Sequence, residues 1–285
     1  MKSIRICAQN LRKWIGNSRI YIAFLIVFLF TLIYTKGLWL LSDVTGEKLS
    51  PYIFPFLTTY RYMKIIYLFP LLLVFCDAPF IDNNQQFVMI RVGRKAWGIG
   101  QMLYIIAASF MYSLFMVISS VIVNIGYISW NISWGKTLII AGTTNIMSQL
   151  GIYYDTVKIP QIIVKYYTRL QAMFFSFLLM WMICIIIGLL IYDLNIIFKS
   201  NVVGIFVAGL LILITSLVDG NPVFTWYSPV SWCSLNNIDV ANMTSYPKLG
   251  FVLGVYTISF LILFITGFFV SRSSRFSFEI KSSVQ

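Results

Sequence analysis

Six stretches of the chain are long, apolar and nearly free of charge, and basic segments separate several of them. They cover residues 20–41, 62–80, 99–127, 170–192, 202–218 and 249–270. A hydrocarbon layer of ~30 Å asks for about 20 apolar residues in helical form, and each stretch comes close to that length. With no water in the layer, backbone N–H and C=O groups must be satisfied within the protein, so only helices or a closed barrel can cross. Runs such as Ile183-Cys184-Ile185-Ile186-Ile187 lack the alternation of a barrel strand. The pattern predicts an all-α integral membrane protein with six transmembrane helices.

Composition agrees. Of 285 residues, 59% are apolar and 11% charged, and the mean hydropathy is +0.85; a soluble domain of this make-up would expose large apolar patches. The net charge of +12 comes from Lys and Arg scattered through loops. That scatter fits anionic lipid headgroups and speaks against a nucleic-acid partner. Cys7, Cys76, Cys184 and Cys233 have no metal-ligand spacing, so neither a disulfide framework nor a zinc site is expected. The first apolar run is as long as a full span and no small-residue cleavage site follows it, so it is expected to remain as helix one.

Lys2, Arg5, Arg12, Lys13 and Arg19 crowd the segment before the first span, and positive charge beside a span favours the cytoplasmic side. With six crossings both termini lie inside, together with 12 of the 21 Lys and Arg residues. The expected organisation is an amphipathic elbow helix over 1–19, a transmembrane domain over 20–271 and a cytoplasmic tail over 272–285, with outer loops at 128–169 and 219–248. The second span is the shortest apolar core: Pro70 lies within it, Lys64 is expected to snorkel to the interface and Asp77 to sit at the inner headgroups. Residues 138–150 and 222–235 are too short to cross and are expected at the interface, the latter through Trp226, Tyr227 and Trp232.

Two segments stand out as candidates for function. In the first nineteen residues Ile4, Ala8, Leu11 and Ile15 recur at helical spacing, with Cys7 and Trp14 beside them and Arg5, Gln9, Arg12 and Arg19 opposite. This predicts a helix lying on the inner leaflet, either as an elbow that touches a partner or as a plain basic anchor. Residues 82–97 open with Asp82, suited to a helix N-cap, and can form a short helix carrying Phe87, Met89 and Ile90 next to Arg91, followed by Arg94 and Lys95. An apolar tip flanked by guanidinium groups suits the groove of a soluble partner. The plainer reading is that these cations only obey the positive-inside rule.

The chain resembles the permease subunits of bacterial type-2 ABC transporters along most of its length. The resemblance rests on the basic amphipathic lead-in over 1–19, six spans with both ends inside, the Arg91-Val92-Gly93-Arg94-Lys95 stretch before helix three, and the aromatic outer segment between helices five and six. The outer loop over 128–169 is longer than a compact member of that family requires. The resemblance implies that Phe87, Ile90, Arg91, Arg94 and Lys95 belong to a coupling helix docked on a separate ATP-binding cassette subunit. It also implies a second permease subunit, the same or different, lining the translocation path, with ATP and Mg held in the partner chain and no cofactor in this one.

Missing chemistry narrows the classes further. No histidine occurs in the chain, which removes Ser-His and Cys-His nucleophilic pairs and the His-Glu-x-x-His zinc helix. Gly135-Lys136-Thr137 ends like a phosphate loop, but Trp130 stands where its first glycine belongs. Lys36, Asp77, Asp193 and Asp219 all fall near span ends, whereas ion-coupled carriers commonly hold a carboxylate at mid-depth. Ser109, Ser113, Ser119, Ser120, Ser176, Thr215 and Ser216 supply mild polarity within the spans. Gly250 and Gly254, and Gly204 with Ala208, form small-residue steps suited to subunit contact or to internal packing. The expected function is an exporter subunit in the bacterial plasma membrane, not itself an enzyme, moving a hydrophobic, lipid-like or peptide substrate. The alternatives are a non-transporting sensor, binding or immunity protein acting through its outer loops, and a secondary carrier.

Overall fold

The computed structural model describes residues 2–81, 85–130, 133–144, 146–149, 151, 157–218, 221–240 and 244–272. Among these the secondary structure is helical, with no β-strand. An N-terminal helix α1 (Lys2–Arg12) leads into α2 (Ser18–Thr45), a single-turn α3 (Phe54–Leu57) and α4 (Arg61–Phe75). A short α5 (Gln85–Val92) precedes α6 (Arg94–Ile122), and three small helices follow: α7 (Lys136–Thr143), α8 (Ile146–Gln149) and α9 (Gln161–Tyr166). The chain closes with α10 (Arg169–Phe198), α11 (Val203–Val218), single-turn α12 (Pro222–Thr225) and α13 (Leu249–Arg272).

Four helices, α2, α6, α10 and α13, are long and apolar enough to cross a membrane. The protein is therefore an all-α, multi-pass membrane protein. Helices α2, α10 and α13 exceed the apolar stretches read from the sequence, with Arg19, Asp193, Asn195 and Arg272 continuing the helical backbone past the apolar core, whereas α6 is shifted: it starts earlier, at Arg94, and ends at Ile122, five residues short of the predicted end at 127. Helices α4 and α11 are shorter, at 15 and 16 residues. The second stretch stops at Phe75 because Ala78-Pro79 cannot extend it. Pro70 lies inside α4 without ending it.

All six helices nonetheless run between the same two ends of one bundle. At the end where α1 lies, Arg19 at the start of α2 pairs with Asp77 just past α4 at 2.7 Å. There Gly204 at the start of α11 meets α10, and Ser271 at the end of α13 touches Gly98 of α6. At the opposite end a cap covers the bundle. Trp39 of α2 stacks on Tyr127 at 5.3 Å and donates to Asn124 Oδ1 at 2.6 Å. Leu49 and Ile128 bridge in parallel, and Lys136 Nζ reaches Glu47 Oε1 at 2.6 Å. Part of loop 128–169 thus folds into this cap.

Two expectations at the cap change. Lys64 does not snorkel: it is fully buried, and its ammonium faces the Ser231 carbonyl at 3.4 Å. Trp232 is likewise interior, donating to the Thr225 carbonyl at 2.7 Å and packing on Tyr256 and Phe251. Tyr227 alone of the three aromatic residues is strongly exposed. The segment 229–233 packs on α10, α11 and α13 and reaches Lys64 of α4 through the Ser231 carbonyl, so Trp232 belongs to the floor of the cap, while Trp226 and Tyr227 stay exposed.

Small residues permit the close approach around α10. A methyl group at Gly188 would lie 2.6 Å from Ile105 of α6 and 2.8 Å from Phe75 of α4. One at Gly204 would lie 2.5 Å from the Ile191 carbonyl oxygen and 2.6 Å from Asn195 Oδ1. The Gly204 step therefore serves internal packing, while Gly250 and Gly254 meet open space. Because the neighbours of Gly204 include main chain, Gly204→Ala should cost about 1–3 kcal/mol and lower the thermal unfolding temperature in detergent. Gly209→Ala, whose new methyl would meet only Leu72 at 3.7 Å, should leave it unchanged; equal melting of both variants would refute the packing argument.

Candidate functional site

The candidate site is the α5–α6 junction at the α1 end. Phe87, Ile90 and Arg91 stand at positions i, i+3 and i+4 of α5, on one face. Phe87 is 72% exposed and Ile90 84% exposed, and Arg91, Arg94 and Lys95 are exposed beside them. All five residues singled out from the sequence therefore lie on or next to one short surface helix. Asp82, proposed as its N-cap, lies outside the described residues.

Gly93 sets the angle at which this helix leaves the bundle. Its φ of 88° and ψ of 146° fall in a region reserved almost entirely for glycine. Its N–H still donates to the Met89 carbonyl at 2.8 Å and its carbonyl accepts from Trp97 at 3.0 Å. The chain thus breaks between two helices without leaving the junction's own amide and carbonyl unsatisfied. One turn into α6, Trp97 is fully buried, and Gly98 is pressed against Ser271 of α13. The exposed helix is consequently mounted on a rigid stem.

Helix α1 braces the same stem through a face that adjoins the one read as lying on the leaflet. Ile6 and Asn10 are buried and Cys7, Leu11 and Trp14 partly so, whereas Ile4, Ala8 and Ile15 are exposed. A methyl at Gly100 would lie 2.7 Å from Ile6 Cβ, Asn10 Nδ2 donates to Gln101 Oε1 at 2.5 Å, and Trp14 Nε1 donates to the Tyr104 hydroxyl at 2.8 Å. One side of α1 thus clamps α6, and Ile4, Ala8 and Ile15 are left for the leaflet. Burial in this seam pushes the Cys7 thiol up from its ordinary pKa.

Two residues just past the fourth apolar stretch, outside the span predicted for it, prove to be interior. Asn195 donates to the Ala78 carbonyl at 2.8 Å and accepts from Gly204 N–H at 2.8 Å, joining the end of α4 to the α10–α11 turn. Asp193 is buried, with Oδ2 accepting from Thr266 of α13 at 2.5 Å. Its Oδ1 has no hydrogen-bond partner among the described residues, and only the bare Gly267 leaves room for it. The signal for both was the return of apolar residues at Ile196, Ile197 and Phe198, which shows the helix continuing past them.

The architecture and this site define a multi-pass helical membrane protein with a basic, apolar-tipped surface helix at one end. No known protein family, curated protein or solved structure matches the chain. Replacing Gly93 by alanine should strain the junction by roughly 1–3 kcal/mol. Amide exchange over residues 85–97 should then accelerate about tenfold or more, while exchange in α10 stays as it was. Unchanged exchange at the junction would show that Gly93 does not govern it.

Proposed function

We propose that this chain is the transmembrane permease subunit of an ATP-driven exporter. The observation that carries the reading is α5: a short helix with two large apolar side chains and a guanidinium on one exposed face, set by Gly93 on a stem buried between α1 and α13. Such a helix can transmit force. A soluble subunit gripping Phe87 and Ile90 would move α6 as a lever, and α6 in turn packs on α1, α2, α10 and α13. ATP and Mg belong to that partner, and this chain carries out no hydrolysis. The cargo class is hydrophobic, lipid-like or peptide, and a second permease subunit completes the path.

In this reading α4 and α11 cross the membrane as well, making six crossings with both termini in the cytoplasm of a bacterium. At about 22–24 Å each is short for a ~30 Å layer, but both run from the α1 end to the cap. Asn195 and Gly204 mark one end of α11, and the 229–233 segment marks its other. A short span is accommodated by local thinning and by cover from neighbouring helices.

One observation favours a second reading. Asp193, with a buried carboxylate oxygen left open, is the kind of group an ion-coupled carrier uses. Gentle purification from the native membrane separates the two: a stoichiometric ATP-binding subunit is expected with the wild-type chain. The triple variant Phe87→Ala, Arg91→Ala, Arg94→Ala should insert normally but lose that subunit, with affinity falling at least about tenfold. Transport that persists under ATP depletion, follows an ion gradient and is abolished by Asp193→Asn would overturn the exporter in favour of the carrier.

A further inference from the structure

A cavity of about 620 Å³ opens where α1 turns into α2, lined by Asn10, Lys13, Trp14, Arg19, Asp77 and Tyr104 among others. Its mouth and its floor differ in chemistry. At the mouth Arg19 and Asp77 form an ion pair whose side chains are 54% and 55% exposed. At the floor Asn10 is only 2% exposed, and its Oδ1 has no hydrogen-bond partner among the described residues although its Nδ2 is bonded to Gln101. A buried amide oxygen left open is costly unless a donor reaches it. The cavity thus combines cationic side chains, one carboxylate and one buried acceptor that lacks a donor.

Its position narrows the ligand class. The cavity lies at the N-terminal start of α2, a helix long and apolar enough to cross a membrane, and beside α1, whose exposed residues include Ile4 and Ile15. This is the depth at which a lipid headgroup meets a helix end. Further along α2, Ile22, Leu29 and Ile33 are exposed and offer apolar surface for acyl chains. A purely anionic headgroup would satisfy the cations but set its charge against Asp77 and offer no ammonium to it.

We infer that this cavity binds the headgroup of an aminophospholipid, with the phosphodiester toward Arg19 and Lys13 and the ammonium N–H groups toward Asp77 and Asn10 Oδ1. Phosphate and guanidinium form charge-assisted hydrogen bonds, and the ammonium supplies the donors that Asn10 lacks. The inference depends on the chain being embedded in a membrane and not on the exporter reading, so either can fail alone.

The test is native mass spectrometry of the full chain in detergent, titrated with phosphatidylethanolamine, phosphatidylcholine and phosphatidylglycerol of identical acyl chains. The methylated choline head keeps charge and phosphate but has no N–H, so phosphatidylethanolamine should be retained about tenfold more strongly, equivalent to about 1.4 kcal/mol. Arg19→Ala should weaken both zwitterionic lipids, and Asn10→Leu should bring phosphatidylethanolamine down to the phosphatidylcholine level. Equal retention of these two lipids by the unaltered protein overturns the assignment, and so does tighter retention of phosphatidylglycerol than of phosphatidylethanolamine. Neither comparison requires a variant to fold.

Discussion

Asn195 is the interaction on which the α1 end of the bundle depends. In a water-free interior its amide must find partners, and it finds them on two other segments, the carbonyl after α4 and the N–H of Gly204 in the first turn of α11. Satisfying that amide forces α4, α10 and α11 to converge, and only a glycine at position 204 permits it, since a side chain would meet the Ile191 carbonyl. Two residues earlier, Asp193 binds Thr266 and so ties α13 to the same level of α10. Helix α13 then presses Ser271 on Gly98, and α6 receives Ile6 of α1 on Gly100. The position of the surface helix α5 is therefore inherited through packed contacts from a polar residue buried well away from it.

The two ends of the bundle are built differently. The cap is held by aromatic contacts, by the Lys136–Glu47 ion pair and Trp39–Asn124 hydrogen bond, and mostly by hydrogen bonds to loop backbone: Tyr256 donates to the Pro229 carbonyl at 2.7 Å, Trp232 to Thr225, and Thr59 to the Lys158 carbonyl at 2.8 Å. The α1 end is held by close helix contacts through glycine and by buried amides. Polar links in a dry setting lose their partner only at high cost, so those contacts resist being separated. In the exporter proposal this resistance would let a displacement at α5 be passed on through α6, which packs on α1, α2, α10 and α13.

The apolar runs made the long helices legible from sequence because a lipid-facing helix is selected above all for hydrophobicity: α2, α10 and α13 contain the stretches read for them, and α6 contains its stretch up to Ile122. Helix ends were less legible. Backbone hydrogen bonding extends a helix past its apolar core, which is how Asp193 and Asn195 became interior, and only tertiary contacts reveal their partners. The outward tip of α5 was readable because Phe87, Ile90 and Arg91 are four residues apart at most. The inner face of α1 was not: Ile4, Ala8, Leu11 and Ile15 read as the face lying on the leaflet, and nothing near them in sequence showed that Ile6 and Asn10 would dock at Gly100 in a distant segment. Lys64 misled for a similar reason, since the carbonyl that holds it belongs to Ser231.

What α5 demands of its surroundings separates the readings of its basic face. An eight-residue helix is too short to persist by backbone propensity alone, and its two largest apolar side chains point away from the rest of the chain. Within the exporter proposal, the contact that covers those side chains is supplied from outside. If lipid were that contact, the apolar residues would sit on one face and the cations on the other, as an interfacial helix requires. Arg91 instead stands one turn from Phe87 on the same face and adjoins Ile90. A bilayer offers hydrocarbon or headgroups at a given depth, whereas a folded partner can place an apolar pocket and a carboxylate side by side, which is why the proposal gives Phe87, Ile90 and Arg91 to a soluble subunit.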